Sequence, residues 1–302
     1  MCLAGQACMP SVSPRRRRYP SDCTEAEWAL LLPLLPRRVD WRGGREGVGG
    51  RPEKHCRRMV IDAIRYLVKE GITWRALPAD FPPWSTVYKY FQRWADLLAV
   101  DDLHDALRDR VRMTDGRPPW PSAAIIDSQS VKAAETVGRS SRGYDAGKRI
   151  NGRKRHIAVD VLGMLLAVVV TDASVQDRDA ARPLLRLLRN LFEHISLIWA
   201  DGGYGGALLP WARQTLALTV RIVKRTDKNP GFRVVAHRWK VERTLAWITR
   251  HRRTVRDYER LPETHEAVVK WAMITTMTRK LTRHDPTNIN QWRPRDSEPR
   301  LV

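Results

Sequence analysis

Two apolar runs in this chain each end on an aspartate. Ala123-Ala124-Ile125-Ile126 leads into Asp127, and Leu197-Ile198-Trp199-Ala200 leads into Asp201, which Gly202 and Gly203 follow. Such a run reads as a buried strand that carries one carboxylate to the edge of a core, and the glycines after it let backbone or ligand come close. A third acid, Glu242, sits in Arg238-Trp239-Lys240-Val241-Glu242-Arg243-Thr244-Leu245-Ala246-Trp247-Ile248, whose spacing is helical. Carboxylates are the oxygen donors that Mg²⁺ prefers, and two or three suffice because the ion keeps several of its waters. A pair of such ions about 4 Å apart can activate an attacking oxygen and stabilise a leaving one in an in-line displacement at phosphorus. Without a cation the same carboxylates would repel one another. Asp127, Asp201 and Glu242 are therefore the candidate catalytic and metal-binding residues, with Mg²⁺ as the expected ion and Mn²⁺ as a substitute.

Taken singly, each acid has a plainer explanation. Asp127 or Asp201 could end a strand or cap a helix, and Glu242 could be an ordinary charged helix position. Asp160, Asp172, Asp177 and Asp179 compete for the same role, although Asp177 suits a helix cap and Asp172 a strand end. What favours the trio is joint placement, in the right elements and the right order, within a basic protein.

The charge is the second clue. Across 302 residues, 54 Lys and Arg stand against 33 Asp and Glu, a net charge of +21. Self-repulsion of that size points to a polyanionic partner, and 43% hydrophobic content is enough for real cores in up to two domains. No apolar run approaches the roughly 20 residues of a membrane span, and Arg15 to Arg18 follow the weakly apolar start rather than precede it, so no signal peptide is expected. The four cysteines, Cys2, Cys8, Cys23 and Cys56, include no C-x-x-C pair and are expected to be reduced thiols rather than a zinc site. A cytoplasmic protein fits these features.

The elements that must position the acids follow in order. Residues 1–18 read as a disordered basic arm. Residues 19–98 read as a helical DNA-binding domain. It opens on the capping box Thr24-Glu25-Ala26-Glu27, followed by a Gly and Arg rich loop over 42–51 and a helix over 52–69 closed by Gly71. The next helix has one apolar face made of Val87, Tyr90, Phe91, Trp94 and Leu98 and an outer face with Thr86, Lys89, Gln92 and Arg93. A short helix, a turn and a longer basic helix make a helix-turn-helix-like pattern, in which Lys89 and Arg93 reach phosphate and Gln92 a base edge; the plain alternative is a solvated helix face. Residues 99–121 read as a helix and linker.

Residues 122–283 read as the catalytic domain and 284–302 as a loose tail. After the Asp127 strand come a loop over 133–152 and a hairpin formed by 156–161 and 165–170. A helix over 177–192, the Asp201 strand, a helix through Trp211, a strand over 218–223, the Glu242 helix and a last helix over 262–281 follow. Three strands, helix, strand, helix, strand, helix is the order of the α/β ribonuclease H-like fold, a mixed sheet flanked by helices. In it the first and fourth strands are neighbours, so Asp127 and Asp201 converge and a late helix adds Glu242. Gly143-Tyr144-Asp145-Ala146-Gly147-Lys148 is not a P-loop, because three residues rather than four separate its glycines and Arg149 stands where Ser or Thr is needed.

At these residues the sequence resembles the DDE transposases of bacterial insertion sequences, in the IS-five branch of the IS-four superfamily. The likeness runs over about residues 18–282 and is carried by Ile126-Asp127-Ser128-Gln129-Ser130-Val131-Lys132, the Gly143 to Lys148 stretch, Gly152-Arg153-Lys154-Arg155-His156, residues 173–179, Trp199-Ala200-Asp201-Gly202-Gly203-Tyr204, Arg238 through Arg243, and Asp257-Tyr258-Glu259-Arg260. The resemblance implies a catalytic triad of Asp127, Asp201 and Glu242, Mg²⁺, excision and insertion of the encoding element, binding of its terminal inverted repeats by the amino-terminal helices, and assembly of at least two copies on double-stranded DNA. Arg238 fits the motif around the glutamate, whereas Val235 stands at its tyrosine position and Thr249 at its basic position, with Arg250 adjacent. Lys132, Arg153, His156, Arg238, Arg243 and Arg250 are candidate phosphate clamps, each with plain surface charge as the alternative. A catalytically inactive relic that represses its own ends, and a structure-selective nuclease of the same fold, are the rival functions.

Overall fold

The computed structural model describes residues 17–36, 54–223 and 238–283. The basic arm up to residue 16, the Gly and Arg rich loop, the polar stretch 224–232, Val235 and the tail lie outside the described residues. Four helices come first: α1 (Glu25–Leu31), α2 (Arg57–Glu70), α3 (Trp84–Asp96) and α4 (Ala99–Thr114). Helix α1 opens on the expected capping box, with Thr24 and Glu27 exchanging side-chain-to-backbone hydrogen bonds. Helix α2 stops at Gly71, whose φ of 73° places it in the left-handed region. Leu98, expected on the buried face of α3, instead joins α3 to α4 with φ 55° and 63% exposure. Helix α3 has ended by then, so the helical period no longer governs that residue.

The sheet contains β1 (Ala123–Lys132), β2 (Gly143–Asp145), β3 (Ile150–Val159), β4 (Leu165–Asp172), β5 (Leu197–Ala200) and β6 (Thr219–Ile222). Strand β1 pairs antiparallel with β3 and parallel with β5, and β6 extends the parallel side. On its other edge β3 meets β2 through Ile150 to Gly152 and β4 through the residues from Arg153 onward. The expected loop over 133–152 thus contains a strand of its own and the beginning of another. Gly152 shows why the chain passes there: a Cβ at this position would lie 2.0 Å from the Val131 carbonyl oxygen, so only glycine permits the approach of β1 and β3.

Helices α5 (Asp177–Leu191) and α6 (Leu208–Leu216) cover one face of the sheet; α7 (Arg238–Thr249) and α8 (Pro262–Thr282) lie on the other. The period of two in the strands divides the core accordingly. Ala124, Ile126, Ala158, Ile198 and Val220 pack with Leu184, Leu185 and Leu188 of α5. Ile125, Ile157, Val159 and Val170 pack toward α7 and α8, in an apolar cluster that runs on through Trp271 to Leu107, Phe91 and Leu67 of the amino-terminal helices. A buried ion pair between Arg112 of α4 and Asp160, just past β3, crosses the same boundary.

Strand β3 is basic, yet its side chains are inside. The Arg153 guanidinium donates to Asp257 Oδ2 at 2.9 Å, to the Glu259 carbonyl at 2.9 Å and to the Arg260 carbonyl at 2.8 Å. Asp257 in turn stands 3.1 Å from His265 of α8. Both members of the Arg153–Asp257 pair are 0% exposed, and removing one partner of such a pair strands the other charge in low dielectric. Asp257→Ala is expected to destabilise the protein by about 3–5 kcal/mol, read as a lower urea midpoint with an unchanged slope.

Candidate active site

The register of the parallel pair places the two aspartates. Ile125 of β1 is opposite Trp199 of β5, and two residues further along each chain stand Asp127 and Asp201. Residues two apart share a face, so both carboxylates point to the side occupied by α7. Asp127 lies in the middle of β1 rather than at its end, because β1 continues along β3 after β5 has stopped. Asp201 begins a short 3₁₀ turn, and its Oδ1 accepts a hydrogen bond from the Gly203 amide at 2.8 Å. Asp127 Oδ1 accepts one from the Ser128 amide at 2.7 Å.

A recess lined by Ile125, Ile126, Asp127, Trp199, Ala200, Asp201, Val223 and Arg238 lies between sheet and helix. Arg238, in the first turn of α7, links the acids: its Nε donates to Glu242 Oε1 at 3.0 Å, and its Nη2 stands 3.8 Å from Asp201 Oδ2. Glu242 is 51% exposed and Arg238 42%, so this pairing is weakly held and leaves both side chains room to move. Asp127 is the stressed member. Burial pushes its carboxyl up to about 6, Asp201 adds to the rise, and the Ser128 amide, Arg238 and Lys148 oppose it.

Among the described residues no three His, Cys, Asp or Glu side chains are close enough together to form a metal cluster. The donor set nevertheless suits a divalent cation. Two hard-oxygen donors share one face with a charge that the site resists, and a cation would relieve it. Glu242 stands one guanidinium away from them.

The competing acids have other work. Asp160 pairs with Arg112 and accepts from the Leu162 and Met164 amides. Asp172 accepts from the Ser174 amide. Asp177, expected as a helix cap, is the first residue of α5 behind the N-cap Gln176, and it pairs with Lys154 at 3.1 Å. Asp179 is exposed in the same turn, where the helix dipole favours an acid.

The candidate DNA contacts divide. Lys89, Gln92, Lys132 and Arg250 are exposed, and Arg93 is half-buried. Arg243 is half-buried between Trp239 and Trp247, 4.6 Å from each ring, and donates to the Leu162 carbonyl. Arg153 and His156 differ from expectation. Both are buried within the sheet, Arg153 spent on Asp257 and carbonyls, and His156 facing Thr171 at 3.0 Å with burial lowering its pKa to about 4. Neither reaches a surface where a phosphate could bind.

Two further residues escaped the sequence reading. Lys148, in the glycine-containing stretch, brings positive charge toward Asp127. Tyr204 is buried at 1% exposure behind the Asp201 turn and packs with Leu184 and Leu208. Its place three residues after Asp201, among glycines, was the available signal.

Comparison with known proteins gives the family. Residues 119–277 match the family model described as "Transposase DDE domain". Residues 23–104 match one described as "Putative transposase of IS4/5 family". The chain is 32% identical over 126 residues to a Burkholderia cepacia protein named "Putative transposase for insertion sequence element IS402", an alignment covering 39% of this chain and 59% of that protein. It is also 31% identical over 111 residues to "Insertion element IS402 uncharacterized 16.2 kDa protein" of the same species, covering 35% of this chain and 69% of the relative.

The raised pKa of Asp127 makes a stability statement. The folded protein resists ionisation that the unfolded chain allows, so this residue costs stability progressively as pH rises from about 4 through about 6. Asp127→Asn is therefore expected to raise the thermal midpoint of the metal-free protein near pH 8 and to change it much less near pH 4, with the two midpoints compared by calorimetry.

Proposed function

Because the chain belongs to the transposase DDE domain family, we propose that it binds the terminal inverted repeats of its insertion sequence and cleaves and joins DNA strands at Asp127, Asp201 and Glu242. The observation that carries this reading is the convergence of Asp127 and Asp201 on one face of neighbouring parallel strands, with Glu242 tied to them through Arg238. The strand order, β4 and β2 on one edge of β3 followed by β1, β5 and β6, supports the ribonuclease H-like assignment.

Asp127, Asp201 and Glu242 would hold Mg²⁺, or Mn²⁺ in its place, and the bound ion supplies Lewis-acid stabilisation of charge developing on phosphoryl oxygens. The protein's own groups do the rest. Arg238 and Lys148 put positive charge beside the recess and draw a phosphodiester toward the carboxylates. Ile125, Ile126 and Trp199 form an apolar wall that limits water around it. Water attacks the phosphorus at the element end, and the 3′-oxygen leaves as a hydroxyl. That hydroxyl attacks a target phosphodiester at the same carboxylates, so one bond to phosphorus forms as another breaks and no nucleotide hydrolysis is needed. Lys89, Gln92 and Arg93 on α3 would grip the repeats, with Lys132, Arg243 and Arg250 holding backbone. A dimer or larger assembly on paired ends, associated with the nucleoid in the cytoplasm, fits this activity. No helix among the described residues is long and apolar enough to cross a membrane.

The test is metal-dependent cleavage and strand transfer on repeat-ended DNA by the wild type and by Asp201→Ala. The variant is expected to bind ends as the wild type does and to lose at least about a hundredfold in cleavage rate, since a metal contribution of several kcal/mol is removed. A wild type that binds ends without cutting would establish the repressor instead, and cleavage of branched DNA without end preference would establish the nuclease. Lys89→Ala is expected to weaken binding to all sequences alike and to lower the salt slope of end binding by about one, measured by fluorescence anisotropy.

A further inference from the structure

Helix α5 carries Arg178, Arg182 and Arg186 at intervals of four residues, so they project from one face of the helix. At about 1.5 Å of rise per residue the line they form is about 12 Å long. All three side chains are exposed. Arg182 and Arg186 lie over the same ring, Trp211 of α6, at 5.5 and 5.2 Å from its centroid. Neither joins an ion pair among the described residues. Arg112, Arg153 and Arg253 each spend their charge on a buried carboxylate; among the described residues no carboxylate pairs with this line, and Arg178 donates only to Gln176 Oε1 at 3.2 Å.

Bringing unpaired cations together costs self-repulsion. The shared indole reduces that cost through the attraction of its π system for both guanidinium groups. A guanidinium held over a ring by its charge can still offer its N–H fork, which is the geometry that binds phosphate. The line also has a position. The Arg178 guanidinium lies 3.4 Å from where a Cβ of Gly206 would stand, at the end of the segment that starts at Asp201. From there it runs over the sheet face opposite α7 and α8, away from the side on which the helices carrying Lys89 and Gln92 pack.

We propose that Arg178, Arg182 and Arg186, braced by Trp211, bind the phosphate backbone of the target duplex into which DNA is inserted. Guanidinium contacts to phosphate position a duplex without reading its sequence. Such a surface therefore suits DNA that is accepted regardless of sequence, rather than the element's own ends. Naming the duplex as the target rests on the strand-transfer reading above; backbone binding by this surface does not.

The experiment uses the full chain as wild type, as Arg182→Ala/Arg186→Ala and as Arg182→Glu/Arg186→Glu, with a random-sequence duplex and a repeat-ended duplex as probes. For the alanine variant, the slope of log affinity for the random duplex against log salt is expected to fall in magnitude by about 1.8, about 0.9 for each lost phosphate contact. Strand transfer into a plasmid target should drop at least about tenfold, and further with glutamate, while cleavage at repeat ends stays within about twofold. An unchanged random-duplex slope overturns the proposal, as does a loss of repeat-end binding equal to the loss on random DNA. If the wild type neither cleaves nor joins, the transposition reading falls, and the salt slope on random DNA still decides whether this surface binds a DNA backbone.

Discussion

Two carboxylates brought together just past a pair of parallel strands are an electrostatic liability, and the arrangement of this protein follows from carrying it. Asp127 and Asp201 each stand two residues past the Ile125 to Trp199 pairing, so the backbone pairing that precedes them, not side-chain attraction, brings them near. The strands cannot relax the repulsion without breaking their register, and a one-residue slip would turn every side chain to the opposite face. Asp127 resists losing its proton, chiefly because it is buried and in lesser part because Asp201 is near. Arg238 and Lys148 answer part of that charge, and a divalent cation would answer more.

Holding the register requires a rigid sheet, and β3 supplies its centre. Its residues alternate as a strand must, but both sides are polar: Arg153 and Arg155 turn toward Asp257 and the Thr254 carbonyl, and Lys154 and His156 toward Asp177 and Thr171. These basic groups are fixed by carbonyls and carboxylates instead of by apolar contact. Buried charges of this kind gain little over a hydrophobic core, yet losing one partner is expensive. They therefore specify one arrangement of β3 against the segment before α8. Outside, Arg182 and Arg186 of α5 meet no carboxylate among the described residues and lie over Trp211 instead.

Helix α8 connects the halves. Its Trp271, Met273 and Ile274 are buried between the sheet and the amino-terminal helices, so the helices that would hold DNA and the strands that would cut it share one apolar cluster.

The local signals survived translation into structure. The capping box at Thr24, the glycine stop at Gly71, and the apolar runs before Asp127 and Asp201 depend on neighbours within a few residues, and each is where its pattern implied. The sequence alone therefore determined most of the elements and their order, and that Asp127 and Asp201 follow apolar runs, though not the strand β2. It could not determine what depends on distant partners. The start of β3 read as loop up to residue 152, and the basic run that follows is turned inward only by carbonyls and by Asp257, about a hundred residues on. The same ambiguity made Arg153 and His156 look like surface clamps. The link of Glu242 to Asp201 through Arg238, and the pairing of two α5 arginines over one α6 indole, likewise exist only after packing. A side chain's chemistry is written in its own residue, but the dielectric and the charges around it are set by whatever the fold brings alongside.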